Sequence, residues 1–132
     1  MIEQDRVYLE KAQENLAAAQ SEFINGRCNS CASRAYYACF QAAIFALVRA
    51  GIHPSGRDDY WRHDFVQAEF NGQLVNRRKA YPAGLRTTLI QTYALRVRAD
   101  YLRDRVSETQ AGRTSDRAEE FVDTISRTAA GT

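Results

Sequence analysis

Residues 35–48 read Ala-Tyr-Tyr-Ala-Cys-Phe-Gln-Ala-Ala-Ile-Phe-Ala-Leu-Val, a run interrupted only by Gln41 and closed by Arg34 and Arg49. A helix made from this run has no polar face to give to water, so it needs neighbours on several sides at once. Ala35, Cys39, Ala42 and Ala46 recur at spacings of three and four, and their small side chains let those neighbours approach closely. The run is also shorter than the roughly 20 apolar residues that span a bilayer, so no transmembrane segment is expected. It predicts the central helix, over about residues 27–50, of an all-helical bundle.

The surrounding chain supplies the neighbours. Leu9, Ala12, Leu16, Ala19 and Phe23 mark one face of a helix over 5–25 that stops at Asn25-Gly26. After the break at 51–56, a shorter third helix carries Trp61, Phe65, Val66 and Phe70, with Asp58 or Asp59 as its cap and Asn71-Gly72 ending or kinking it. Leu85, Leu89, Thr92, Leu95, Ala99, Leu102 and Val106 predict a long fourth helix from Tyr81-Pro82 to about Val106. Ala118, Phe121, Val122 and Ile125 predict a last helix over about 114–128, capped by Thr114 or Ser115. The expectation is an antiparallel up-and-down bundle of four to five helices in one domain over 1–132, its core at about 5–127.

A chain of 132 residues is long enough for one core and too short for a two-domain enzyme with a cleft between domains. Three cysteines and an acidic, polar start without a secretory pattern fit reduced thiols and a cytoplasmic location. The formal charge is +2, yet residues 77–105 hold eight basic side chains against Asp100 and Asp104 and so carry net +6. Such a stretch attracts phosphates or an acidic partner.

Few residues have chemistry to offer. Cys28-Asn-Ser-Cys31 has no second pair, and Cys39 lies about 12 Å farther along the helix at ~1.5 Å per residue, so metal-ligand spacing is absent and no cofactor is implied. His63, between Arg62 and Asp64, titrates near neutral pH and is a candidate general acid or base. Arg96 and Asp100 stand one turn apart in Arg-Val-Arg-Ala-Asp-Tyr, with Tyr93 and Arg103 close by. That cluster is either a buried network setting bundle register or the wall of a functional groove.

Five segments together resemble a known family. They are Tyr8-Leu9-x-Lys11-Ala12-x-Glu14-x-Leu16, Ser33-Arg34-Ala35-Tyr36-Tyr37-Ala38-x-Phe40, His63-x-x-Val66-x-x-x-Phe70, Arg96-x-x-Ala99-Asp100-Tyr101 and Ala118-x-x-Phe121-Val122. Over residues 5–127 the chain looks like the small stand-alone HEPN domains of bacteria and archaea. The resemblance implies a homodimer, a minimal nucleotidyltransferase as antitoxin partner in a toxin–antitoxin pair, and in many members a metal-independent ribonuclease. There, an arginine followed four to six residues later by histidine on a late helix completes a site across the dimer.

This chain departs from that motif, because no histidine follows residue 63. Arg57 and His63 match the spacing literally, but on the third helix, in a chain rich enough in arginine for such a pair to arise by chance. If RNA is cut, the resemblance places His63 as acid or base, with Arg34, Arg96 or Arg98 stabilising charge and Tyr37 or Tyr101 orienting. Arg34, Tyr37, Arg98, Asp100 and Tyr101 are then the RNA- or nucleotide-binding residues; in the non-catalytic reading Ser33, Arg34, Tyr37, Asp100 and Tyr101 form a network that is structural or holds a nucleotide. The alternative is a non-catalytic nucleotide-binding or protein-interaction module that regulates its nucleotidyltransferase.

Overall fold

The computed structural model describes residues 3–55 and 60–131. Five α-helices follow one another: α1 (Glu3–Ile24), α2 (Cys28–Arg49), α3 (His63–Glu69), α4 (Thr88–Tyr101) and α5 (Glu108–Ala130). A π-helical stretch, Phe70–Arg77, continues α3, and a 3-10 turn, Ala83–Thr87, leads into α4. No strand occurs among the described residues, and the all-α bundle expected from the sequence is what forms.

α2 is the hub. It packs against α1, α4 and α5, and more lightly against α3 and the π-helical stretch. Cys31, Ala32, Ala35, Ala38, Cys39, Ala42, Ala43, Phe45 and Leu47 along it are fully buried. Small side chains here bring backbones together, and the large ones that fill the remaining space come from the partners. Phe70 and Phe121 meet with ring centroids 5.1 Å apart, and both are fully buried. By length and composition α2 is able to cross a bilayer, but 72% of its most apolar window is buried within the bundle.

Glycine ends both long N-terminal helices in the same way. Gly26 has φ +75° and Gly51 φ +78°. Arg27 N–H donates to the Glu22 carbonyl and Gly26 N–H to that of Phe23, while Ile52 N–H donates to Leu47 and Gly51 N–H to Val48. These are paired Schellman bonds, which satisfy carbonyls that a helix end leaves open and require a left-handed residue at that point.

Several boundaries differ from the sequence reading. α3 begins at His63, so Trp61 lies ahead of it and packs against Tyr8, His53 and Phe65 from the loop. The proposed caps Asp58 and Asp59 lie outside the described residues. Asn71-Gly72 does not end the helix: the chain widens into π turns and stops at Lys79, whose φ of 51° is the left-handed value usual for glycine. Asn71 Nδ2 meanwhile donates to the Arg86 carbonyl at 2.8 Å and ties this stretch to the 3-10 turn.

α4 is also shorter than its apolar spacing suggests, and α5 is longer. Tyr101 is the last residue of α4, Leu102 is extended, and Val106 is buried through a separate contact in which its N–H donates to Asn29 Oδ1 at 3.0 Å. α5 is capped by Ser107, not by Thr114 or Ser115. Ser107 Oγ accepts from Gln110 N–H at 3.1 Å and Gln110 Oε1 accepts from Ser107 N–H at 2.9 Å, a complete capping box. Thr114 and Ser115 are buried inside the helix.

Candidate functional site

The polar residues of the bundle converge where α2 faces α4. On α2, Ser33, Tyr36, Tyr37 and Phe40 fall on one helical face; on α4, Tyr93, Arg96 and Asp100 do the same. Arg96 is the centre of the cluster. Its guanidinium carbon lies 5.2 Å from the centroid of Tyr37, 5.4 Å from that of Tyr36 and 5.6 Å from that of Tyr101. Three tyrosine rings thus surround one cation, each attracting it through its electron-rich face.

A carboxylate holds that cation in place. Asp100 Oδ2 is 3.4 Å from Arg96 Nε, and Asp100 Oδ1 accepts from the Ser33 hydroxyl, so α2 and α4 are linked through a single side chain. Arg96 Nη2 donates to the Tyr101 hydroxyl at 3.3 Å. Burial acts to lower the Arg96 pKa, but Tyr37, Tyr101 and Asp100 act the other way and hold it above the ordinary arginine value. Arg96 is a permanent, positioned charge whose side chain is 17% exposed.

Toward the surface the cluster continues as a strip. Arg34, exposed, places its guanidinium carbon 5.0 Å from the Tyr37 centroid and donates from Nη1 to Asn15 Oδ1 at 3.1 Å. Tyr37 therefore lies between two arginines, and the order along the strip is Arg34, Tyr37, Arg96, Tyr101. Tyr101 is 69% exposed.

Inward, Tyr36 connects Arg96 to His63. The Tyr36 hydroxyl is 2.9 Å from His63 Nδ1, and the imidazole stacks on Tyr93 with centroids 3.6 Å apart at 14°. Burial raises the Tyr36 pKa well above the usual phenol value, so its hydroxyl keeps its proton. The pair is satisfied in either neutral tautomer: the hydroxyl donates to Nδ1 when the ring hydrogen is on Nε2, and accepts from Nδ1–H when it is on Nδ1. Burial also lowers the His63 pKa; Asp64 opposes this and Arg96 adds to it. His63 is thus neutral at pH 7, and it opens on a depression of about 370 Å³ lined by Tyr60, Arg62, Asp64 and Tyr93.

This joining of the Ser33–Tyr37 segment to Asp100-Tyr101 through Arg96 can be set against known sequences. The family model of the HEPN domain matches residues 6–128. The chain belongs to the HEPN family. It is also 32% identical over 126 residues, 95% of this chain and 88% of the other, to the Methanocaldococcus jannaschii protein named Putative toxin MJ0605.

Within this HEPN domain, Ser33, Arg34, Tyr37, Arg96, Asp100 and Tyr101 come together, and His63 joins them through Tyr36. Arg98 does not. Two residues past Arg96, it faces the other side of α4, where it lies with Gln110, Arg113 and Arg117 of α5 and pairs with Asp104 at 3.4 Å. Arg57 of the literal Arg–His spacing lies outside the described residues.

Both Tyr36 and Tyr93 contact His63; the sequence sets Tyr93 beside the Arg96–Asp100 cluster but assigns neither tyrosine a contact with the histidine. The signal was available: Tyr93 precedes Arg96 by three residues and Tyr36 follows Ser33 by three, so each shares a helix face with a residue already singled out. Among the described residues no three of His, Cys, Asp and Glu converge. Burial pushes the Cys31 thiol up to about 11 and the Cys39 thiol up to about 12, far from the thiolate that reactive cysteines need.

Proposed function

We propose that this HEPN protein is the toxin of a two-component system and acts on RNA through the strip Arg34, Tyr37, Arg96 and Tyr101. The observation that carries the reading is the alternation of cation and aromatic ring along one surface. Single-stranded RNA offers the matching alternation: phosphates for the guanidinium groups, and base faces for exposed rings to stack on. Arg34 and Tyr101 make the outer contacts, while Arg96, held by Asp100, fixes the potential at the centre. The curated relative's name supports the toxin assignment. A minimal nucleotidyltransferase is the antitoxin partner in this reading, the working form is a homodimer, and the site of action is the cytoplasm.

A second reading, cleavage of the bound RNA, is favoured by His63. A neutral imidazole with Nδ1 bonded to Tyr36 is oriented, and in the tautomer with hydrogen on Nδ1 its free Nε2 is able to accept a proton at pH 7. In that step His63 takes the proton of a ribose 2′-OH. The 2′ oxygen bonds to the adjacent phosphorus, and the 5′ oxygen leaves and is protonated by solvent. Charge on the phosphorane is stabilised by Arg34 and Arg96.

The test is incubation of the purified chain with a labelled RNA pool in EDTA, beside His63→Ala and Arg96→Ala variants checked for folding. Cleavage lost in both variants establishes the metal-independent ribonuclease. RNA bound but left intact limits the function to binding. Failure to bind RNA transfers the assignment to a module that regulates its nucleotidyltransferase. Sedimentation of the chain alone checks the dimer.

A further inference from the structure

The side of α4 turned away from Arg96 forms a different surface. Ala94, Leu95 and Arg98 fall on this side of the helix, and Leu102, the extended residue that follows α4, lines the same groove. Across from them, Arg113 and Arg117 stand one turn apart on α5. Between the two helices is an open groove of about 480 Å³ whose lining contains no acidic residue. Along α4, from Gln91 to Arg98, it runs roughly 10 Å at ~1.5 Å per residue, about two helical turns.

Both halves of this lining are unfavourable in an isolated chain. Leu102 is 56% exposed, a large aliphatic side chain left in water at the end of α4. Arg113 and Arg117, at i and i+4, repel each other, and neither has a carboxylate partner among the described residues. Arg98 adds a third cation, satisfied only by the exposed Asp104. An occupant that presents aliphatic side chains to Leu95 and Leu102 and carboxylates to the three arginines relieves both penalties together.

We infer that this groove is a docking site for an acidic amphipathic helix of a partner protein. A groove between two helices suits the recognition mode in which a third helix lays its apolar face between them. Nucleic acid fits less well, since the groove has no aromatic ring on which a base can stack, unlike the Arg34–Tyr101 strip. A second copy of the chain also fits less well. Among the described residues the exposed large apolar side chains are Val7 and Ile24, seventeen positions apart on α1, Tyr60, Ile90 on α4, and Tyr101 with Leu102 at its end, which make no aliphatic stripe between acidic flanks. The inference does not depend on the RNA reading, because Arg98, Arg113 and Arg117 take no part in that strip.

The probe is a fluorescein-labelled synthetic helical peptide with leucines along one face and glutamates on both flanks, titrated into the full chain and followed by anisotropy. The expected result is saturable binding that falls about tenfold or more, 1.4 kcal/mol or more, in the Arg113→Glu/Arg117→Glu variant and with the Glu→Gln peptide. A lysine-flanked version of the peptide should bind that variant better than it binds the wild-type chain, a reversal that misfolding cannot produce. Binding of oligouridylate should be unchanged by the double substitution. The inference is overturned if the wild-type chain does not bind the acidic peptide, or if the charge reversal leaves peptide binding intact. It is equally overturned if the double variant loses oligouridylate instead, or if its main effect in sedimentation is to split a dimer of the chain.

Discussion

Tyr36 shows how much a single hydroxyl does in this bundle. It is 2% exposed, touches Tyr37, Phe40 and Tyr93 with its ring, and offers its only polar atom to His63. Tyr36→Phe keeps the ring contacts and leaves Nδ1 of His63 without its hydrogen-bond partner. The expected loss is about 1 kcal/mol, the usual net worth of a hydrogen bond, measured by urea unfolding.

His63 adds a pH dependence whose sign follows from its lowered pKa. As pH falls, the unfolded chain, with histidine near the ordinary 6.5, takes up the proton before the folded one does. The stability that neutral His63 contributes is therefore complete above that value and lost as pH drops through it toward the folded pKa. Thermal melts should show the gap between wild type and His63→Asn narrowing from about pH 7.5 to about pH 5.5. A gap that widens on acidification would mean that the imidazole is held charged in the fold.

At the scale of elements, the hub was the most legible part of the sequence, since fourteen positions without a polar face allow few arrangements besides burial on all sides. The glycine stops at Gly26 and beyond Arg49 were equally plain, because a left-handed residue is needed there and glycine supplies it without strain. The boundary between α4 and α5 departs from the apolar spacing for a physical reason. Leu102 and Val106 continue the apolar spacing of α4, so periodicity alone carries the helix through them. Ser107-x-x-Gln110 is nevertheless a complete capping box, and a local hydrogen-bond pair decided the outcome where periodicity was ambiguous. Ser107→Ala removes one half of that pair and exposes an unsatisfied N–H at the start of a 23-residue helix. It should cost about 1 kcal/mol in chemical denaturation, and Ser107→Asp should recover most of it.

Across the whole molecule, the basic stretch at 77–105 does not make one patch, because a helix and its preceding turns send neighbouring residues to different sides. Arg78 donates to the Ala50 carbonyl, Lys79 and Arg86 line a depression with Tyr81, Arg96 enters the tyrosine cluster, and Arg98 lines the groove against α5. Pairings between residues far apart in sequence, such as Ser33 with Asp100, cannot be read from linear spacing, and for this reason Arg98 was grouped with Arg96 before the fold separated them.

The separation makes a prediction about RNA. Each single-strand phosphate contacted contributes about 0.7 to the slope of log affinity against log salt. Arg34→Ala should reduce that slope by roughly one contact, ~0.7, while Arg34→Lys, which keeps the charge, should retain the slope and lose affinity through weaker stacking on Tyr37. Tyr101→Ala should behave the opposite way, losing about 1–3 kcal/mol of affinity at every salt concentration with the slope unchanged, because a stacked base carries no counterion. Arg98→Ala, on the far side of α4, should alter neither quantity. Titrations of oligouridylate at several salt concentrations distinguish these outcomes, and a slope that responds to Arg98 as strongly as to Arg34 would place the RNA path along the α4–α5 groove.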